Sequence, residues 1–311
     1  MEQVSIERGS YYLSHEAGQR MIERFVAFAQ VSDKTAETYL RALKQMYLYL
    51  MQNAITQPRE EDLIMWRSWL QESGKKSATI RLYVTAMRLF FSWTERENIY
   101  PNIAKYIKSE KISREPKKDY LTTAQIKKVL ETVNRDTLAG KRDYAILLLA
   151  VTDGLREIEI TRADVKDLTT RGNNTVLWVQ GKGEREKNKC VKVPAITETA
   201  IREYLKARGT SADEEPLFMS MSNNNKSGRI STRAISGMIK ARLREAGFDS
   251  ERLTGHSLRH SAVTISLLEG ADITEVQSFA RHANLTTTQI YIHSIAEEAN
   301  TCSTRIAEAI V

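Results

Sequence analysis

Residues 254–293 read TGHSLRHSAVTISLLEGADITEVQSFARHANLTTTQIYIH and hold four of the five histidines in the chain. His256 and Arg259 are three residues apart, so on a helix their side chains share one face. His282 and Tyr291 follow within the same stretch. A histidine and an arginine on one face, followed by a second histidine and a tyrosine, favour phosphate chemistry over packing alone.

The helix boundaries within this stretch predict where these side chains lie. Gly270 is expected to end the helix that carries His256, and Asp272 is expected to cap the next helix. Thr286 with Gln289 predicts the cap of a short last helix that bears Tyr291. The histidines and the tyrosine are therefore expected at helix termini, where they can project into a cleft.

Length and composition set the class of protein. A chain of 311 residues exceeds one average domain, and 41% hydrophobic with 27% charged residues describes an ordinary globular protein. No apolar run reaches the roughly 18–20 residues of a membrane span, and the N-terminal residues lack the pattern of a secretory signal. Cys190 and Cys302 offer neither a disulfide framework nor metal-ligand spacing. We expect a cytoplasmic protein that uses no membrane.

The net charge of +7 and the isoelectric point near 9.2 favour a polyanionic partner, most often nucleic acid. Many basic proteins bind nothing of the kind, so the charge has to be found in useful places.

Residues 14–108 have the apolar spacing of four amphipathic helices, and residues 1–13 are expected to form an N-terminal tail. Ser32, Pro58 and Ser77 mark the predicted starts of the second, third and fourth helices. The aromatic stripes predict a core. Basic residues away from those stripes are candidates for DNA contact, although the pattern alone is a weak signal: Lys34, Arg41, Lys44, Arg81 and Arg88.

Residues 109–120 are the predicted linker between two domains. The surrounding stretch KYIKSEKISREPKK, residues 105–118, carries six basic and two acidic side chains without a helical apolar stripe. Pro116 also disfavours helix at the preceding residue. A solvated tether and a tether that crosses a phosphate backbone both fit this composition.

Residues 121–294 form the second predicted domain, in which a strongly apolar helix from Asp143 ends at Gly154. Arg156 comes two residues later and is expected near the core. A buried guanidinium needs an anion or a carboxylate partner, because an unpaired buried charge is very costly. Glu159 is one candidate partner and a bound phosphate is the other, and taken alone the residues favour the ion pair.

A β-hairpin is predicted next, with strands at 176–179 and 190–193. Its connection places Lys182 between two glycines, where a mobile amine can be aimed at a ligand. Solvated loop lysines are common, so this signal matters only if Lys182 meets the residues above.

Residues 231–246 predict a helix with an apolar face and a basic face. Such a face is usually solvated, and contact with the DNA major groove or with phosphates is the alternative. The candidates on this helix are Arg233, Lys240, Arg242 and Arg244.

A resemblance connects these separate signals. The set Arg156, Lys182, His256-x-x-Arg259, His282 and Tyr291 resembles the signature of the tyrosine recombinases, the phage integrase and Xer family. GLREIE resembles the GLRxxE of that family, GKGEREK…KVP its GKGxKxR…VP hairpin, and TTTQIYIH its TTxxYxH. The resemblance implies a mainly α fold with a small β-sheet. It comprises an N-terminal four-helix SAM-like core-binding domain and a C-terminal α+β catalytic domain.

The family resemblance also implies how a DNA phosphate would be held. Arg156 and Arg259 would clamp the non-bridging oxygens, since a guanidinium matches phosphate bidentately and stays charged. His282 would donate a further hydrogen bond to the same charge. Glu159 would hold Arg156. No metal and no cofactor is implied.

The proton transfers follow from the same resemblance. Tyr291 would attack the phosphodiester and form a 3′-phosphotyrosine, and Lys182 would protonate the leaving 5′-oxygen. His256 would accept the tyrosine proton, because a phenol with an ordinary pKa near 10 needs help at neutral pH. His260 and His293 have no implied role, so packing and solvent exposure are expected for them.

The implied partners are double-stranded DNA recombination sites and other recombinase protomers, as a homotetramer or a paired recombinase on two DNA sites. Residues 295–311 form a predicted C-terminal tail that begins acidic and ends apolar. We expect this tail to dock on a neighbouring protomer, with folding back onto its own domain as the alternative.

Two departures from the family pattern stand out. Ala280-Arg281 replaces the Leu-Gly that many relatives have before the second histidine, and Tyr100-Pro101-Asn102 replaces the usual Asn-Pro. Arg281 adds a charge beside the site that the sequence alone does not place. The predicted role is integration or excision of a mobile element. The alternatives are Xer-type resolution of chromosome or plasmid dimers, a type IB topoisomerase, and a binding-only DNA protein on the same scaffold.

Overall fold

The computed structural model describes residues 15–109, 119–181, 183–209, 212–222, 225, 228–298 and 300–310. The chain divides into two compact units, an N-terminal unit Met1–Ser113 and a C-terminal unit Arg114–Val311. The predicted tail 1–13 and residues 110–118 of the predicted linker lie outside the described residues.

The described part of the N-terminal unit contains four helices, as the apolar spacing predicts. They are α1 (His15–Phe28), α2 (Asp33–Gln52), α3 (Glu60–Glu72) and α4 (Ser77–Arg96). Leu43, Trp66 and Met87 are fully buried between them. Phe25 packs edge-on against Phe90, with 5.6 Å between the ring centroids. The aromatic stripes therefore form the core of this unit.

The C-terminal unit combines nine described helices with one small sheet. The helices are α5 (Thr123–Glu131), α6 (Leu138–Val151), α7 (Glu157–Arg162), α8 (Ala195–Arg208), α9 (Thr232–Glu245), α10 (Gly255–Leu268), α11 (Ile273–Ala280), α12 (Leu285–Glu298) and α13 (Cys302–Ile310). The strands are β1 (Leu168–Arg171), β2 (Asn174–Val179) and β3 (Lys189–Lys192), antiparallel in that order. The expected mainly α fold with a small β-sheet is confirmed.

Strand β1 was not predicted from the sequence. Its residues LTTR are mostly exposed, so they lack the apolar alternation that marks a half-buried strand. The predicted hairpin is present, with Leu177 of β2 opposite Val191 of β3.

Helix α6 is the central element of the C-terminal unit, and both α8 and α10 pack against it. It begins at Leu138, five residues before the predicted start, because the Thr137 hydroxyl accepts the Gly140 N–H and caps the helix. Its apolar run from Ala145 to Ala150 is buried. Helix α6 ends at Val151, three residues before the predicted Gly154, and α7 begins at Glu157. The short turn between them brings Arg156 to the edge of the core.

The prediction of a short helix capped by Thr286 is wrong. The side chain of Asn284 accepts the Thr286 N–H at 3.0 Å, so α12 begins at Leu285 and continues to Glu298. Tyr291 consequently lies in the middle of a helix rather than at its end. The predicted tail boundary at residue 295 also falls inside α12.

Candidate active site

The turn between α6 and α7 is the meeting point of the site. Gly154 has a φ of 57°, and a Cβ at this position would lie 3.0 Å from the ring of Phe279. Glycine is therefore suited to this position on both conformational and steric grounds. The Gly154 carbonyl accepts hydrogen bonds from Nη1 of Arg259 and, at 3.0 Å, from Nη2 of Arg281.

Arg156 occupies the N-cap position of α7 and is bound to Glu159 twice. Its Nη1 donates to Oε1 of Glu159 at 2.8 Å, and its backbone N–H donates to Oε2 at 2.8 Å. Glu159 is 1% exposed, whereas the side chain of Arg156 is 23% exposed. Burial alone would raise the pKa of Glu159, but the guanidiniums of Arg281 and Arg156 hold it below the ordinary value. Arg156 is thus fixed on one side and accessible on the other.

Arg259 lies in α10 and is 4% exposed. Its guanidinium donates to the carbonyls of Gly154 and Ala280, and so joins the α6–α7 turn to the end of α11. Burial and the neighbouring charges of Arg156 and Arg281 lower the pKa of Arg259 to about 9. At neutral pH the guanidinium is still protonated, so it keeps its charge for an anion.

His282 lies two residues after Ala280, the last residue of α11. Its Nδ1 lies 3.0 Å from Oγ1 of Thr288, a fully buried residue of α12. Burial and the positive charges of Arg259, Arg156 and Arg281 lower the pKa of His282 to about 4. The imidazole is therefore neutral at neutral pH. When the Thr288 hydroxyl donates to Nδ1, the ring carries its proton on Nε2 and can donate it to a ligand.

Tyr291 lies between two imidazole rings. Its ring centroid is 6.2 Å from that of His282 and 4.4 Å from that of His260. Burial raises the pKa of Tyr291, and the charges of Arg259 and Arg156 oppose this rise. His260 also stacks on Tyr120 at 6.2 Å. Sequence reasoning assigned His260 only packing or exposure, and its closeness to the tyrosine was missed.

The remaining two signature residues are placed less fully. His256 is exposed in the first turn of α10, one turn ahead of Arg259. Lys182 lies outside the described residues, but the hairpin beside it is described. Arg162 Nη1 donates to the Gly181 carbonyl at 3.0 Å, immediately before Lys182. The roles of His256 and Lys182 stay predictions.

The nine basic residues considered for DNA contact differ in exposure and in pairing. Lys44, Lys240 and Arg242 are half-buried, and the other six are exposed: Lys34, Arg41, Arg81, Arg88, Arg233 and Arg244. Three on α9 form ion pairs inside the C-terminal unit: Lys240 with Asp249, Arg242 with Asp143 and Glu245, and Arg244 with Asp249. The half-buried Lys240 and Arg242 are therefore less available for phosphates, whereas the Arg244 side chain is 61% exposed and its ion pair lies at the surface.

Other kinds of site find little support among the described residues. No cluster of three or more His, Cys, Asp or Glu side chains in that part of the chain is arranged to hold a metal ion. None of its helices has both the length and the apolar character needed to cross a membrane.

Family models match both units of the chain. The phage integrase family model matches residues 119–298, and the model of the phage integrase N-terminal SAM-like domain matches residues 22–98. The tyrosine recombinase XerC of Thermodesulfovibrio yellowstonii is 31% identical over 273 residues, which is 84% of this chain and 86% of that protein.

Solved structures share the fold at lower identity. The XerH site-specific recombinase bound to a palindromic difH substrate superposes with a TM-score of 0.73 at 21% identity, over 95% of this chain and 99% of that one. A lambda integrase dimer bound to a COC′ core site gives 0.70 at 15% identity, over 88% and 97%. The chain therefore belongs to the phage integrase family of tyrosine recombinases, enzymes that cleave and rejoin DNA.

Proposed function

We propose that this enzyme is a site-specific recombinase in which Tyr291 is the nucleophile. The observation that carries the proposal is the convergence of Arg156, Arg259, His282 and Tyr291 around the α6–α7 turn, although they come from four separate segments. The phenolic oxygen attacks the scissile phosphorus, a 3′-phosphotyrosine forms, and the 5′-oxygen leaves. The phosphate ester bond is retained in the intermediate, so rejoining needs no external energy source.

The charge that develops on the phosphate is met by two guanidiniums and one imidazole. Arg156 and Arg259 each carry a planar guanidinium, which suits bidentate contact with non-bridging oxygens. Neutral His282 adds a donor through Nε2, with its ring held by Thr288. Donors fixed before the reaction stabilise a transition state without a reorganisation cost.

Two proton transfers complete the step. Burial raises the pKa of Tyr291, so its proton must pass to an acceptor during attack, and we assign that part to His256. Lys182 protonates the leaving 5′-oxygen. The neighbouring residues that hold the hairpin, Arg162 on Gly181 and Lys187 on Asp164, support a fixed position for the base of that loop.

The decisive experiment uses a nicked suicide substrate, in which the short strand released by cleavage diffuses away and traps the intermediate. Wild-type protein should form a covalent protein–DNA adduct, and Tyr291→Phe should form none while still binding the same DNA. If wild type yields no adduct with its own target site, the enzyme assignment to Tyr291 is wrong. Relaxation of supercoiled DNA without strand exchange would instead indicate a topoisomerase.

The proposed partners are two double-stranded DNA sites and further protomers, as a homotetramer or with a paired recombinase. Helix α13 supports this assembly, because all its described residues are exposed, with Ile306 at 59% and Ile310 at 78%. We assign its apolar face to a neighbouring protomer. Deletion of residues 300–311 should abolish cooperative synapsis in gel-shift assays and leave single-site binding intact. Recombination that survives this truncation would contradict the assignment.

The biological role that we propose is integration or excision of a mobile element, acting in the cytoplasm. The free thiols of Cys190 and Cys302 support a reducing compartment. Xer-type resolution is the second candidate, and the similarity to XerC is compatible with either role. Sequencing the DNA on both sides of the gene separates the two roles. Flanking attachment repeats support the element, whereas their absence favours resolution of dimers.

A further inference from the structure

Arg281 has an unusual backbone and an unusual environment. It directly follows Ala280, the last residue of α11, and its φ is 53°. This is the left-handed region of backbone conformation, which residues other than glycine seldom adopt. Its side chain is nevertheless only 7% exposed. A long cation in a strained position and out of water needs a specific set of partners.

Those partners are the groups that hold the phosphate-binding arginines. Nη2 of Arg281 donates to Oε2 of Glu159 at 3.0 Å and to the Gly154 carbonyl at 3.0 Å. Nη1 donates to the Phe279 carbonyl at 2.8 Å. The Gly154 carbonyl is shared with Arg259, and Glu159 is shared with Arg156. Arg281 therefore touches the supports of both arginines.

The charge balance shows what this arrangement achieves. Glu159 alone would cancel the charge of Arg156, since one carboxylate and one guanidinium form a neutral pair. With Arg281 on Oε2 and Arg156 on Oε1, the three groups carry a net charge of +1, and Arg259 raises the local sum to +2. Oε2 accepts from both the Arg156 backbone N–H and Nη2 of Arg281, so only Oε1 is left for the Arg156 guanidinium.

We propose that Arg281 is a positioning residue that engages one oxygen of Glu159. As a result, the group of Arg156, Glu159 and Arg281 has a net positive charge, and Arg156 keeps a free edge for the DNA phosphate. This inference rests on the proposed function, because it concerns the same cleavage step. Nη1 and Nη2 of Arg281 are engaged by the Phe279 and Gly154 carbonyls and by Glu159, so we assign it an action through Glu159 and Arg156.

The test compares single-turnover cleavage and DNA affinity for three variants on the suicide substrate. Arg281→Gly suits the left-handed backbone and removes only the side chain. We expect cleavage at least tenfold slower than wild type, with the DNA dissociation constant changed less than threefold. Arg281→Lys keeps the positive charge but not the planar fork of the guanidinium, and its cleavage rate should lie between those of wild type and Arg281→Gly. The control is Asn98→Gly, which introduces glycine at an exposed residue of the N-terminal unit whose φ is 55°. This variant should cleave like wild type.

The double variant Arg281→Gly with Glu159→Gln separates an electrostatic role from a merely structural one. It removes one positive and one negative charge, so the local sum returns to +2. We expect this double variant to cleave at least threefold faster than Arg281→Gly alone. A structural cap would give no recovery, because the missing side chain is absent from both proteins.

The outcomes are distinguishable from failure of the proposed function. If wild type forms no adduct, the proposed function fails and this inference fails with it. If wild type reacts and Arg281→Gly matches it, or if the double variant is no faster than Arg281→Gly, only the role of Arg281 is overturned.

Discussion

Replacing Thr288 by valine should slow DNA cleavage about fivefold without weakening DNA binding. Thr288 is fully buried and its hydroxyl lies 3.0 Å from Nδ1 of His282. Valine keeps the shape of the side chain and removes the donor. One such hydrogen bond contributes about 1 kcal/mol, which corresponds to roughly a fivefold change in rate. The loss falls on cleavage because the neutral imidazole is then no longer fixed with its proton on Nε2.

The measurement is the single-turnover rate of adduct formation at saturating protein, with DNA affinity followed separately by gel shift. Thr288→Ser is the matched control, since it keeps the hydroxyl and loses only a methyl group. The serine variant should cleave within about twofold of wild type, a difference of less than about 0.5 kcal/mol. If valine at 288 cleaves as fast as wild type, or if serine is as slow as valine, Thr288 does not orient His282.

Three further predictions concern stability. The pKa of His282 is lowered to about 4, so the stability that its neutral imidazole contributes is fully present above the ordinary pKa of 6.5 and is lost as the pH falls towards 4. Between pH 7.5 and 4.5, wild type should therefore lose more thermal stability than His282→Asn. Equal losses in the two proteins would contradict this. Burial raises the pKa of Asp153 to about 7, so the stability that its protonated carboxyl contributes is fully present below pH 3.8 and is lost as the pH rises through 7. Asp153→Asn should therefore have a higher melting temperature than wild type at pH 8 but not at pH 4. Lys187→Met leaves Asp164 and Asp167 without the cation that they share, and it should lower the free energy of unfolding, measured in urea, by about 1–3 kcal/mol. An unchanged urea midpoint would show that the two ion pairs of Lys187 are dispensable.

The parts of the site that the sequence predicted are those governed by short separations or by a strong motif. Arg156 and Glu159 are three residues apart at a helix start, so their ion pair follows from local geometry. The apolar run that becomes α6 is long enough to identify as a buried helix. The family motif predicts that His282 and Tyr291 share one site, and their ring centroids are 6.2 Å apart.

The contacts that the sequence could not supply join distant segments. Arg281 meets Gly154 across 127 positions, and nothing local distinguishes it from a solvated arginine. Three consecutive threonines precede Gln289, and only the pitch of α12 selects Thr288 to face His282. The helix start itself was misjudged, because Asn284 competes with Thr286 for the capping position and the two differ by half a turn. Side-chain patterns limit these choices but do not resolve them.

The charges in the site also bear on how Tyr291 loses its proton. Arg259 and Arg156 partly oppose the effect of burial on the pKa of the Tyr291 phenol. A bound phosphate diester would bring a negative charge to those same guanidiniums and reduce their help. The phenol therefore becomes harder to ionise when the substrate arrives. In the proposed mechanism, attack by Tyr291 is therefore helped by transfer of its proton to a nearby base. His256, to which we assign this role, lies one turn before His260 on α10, and the His260 ring centroid is 4.4 Å from that of Tyr291.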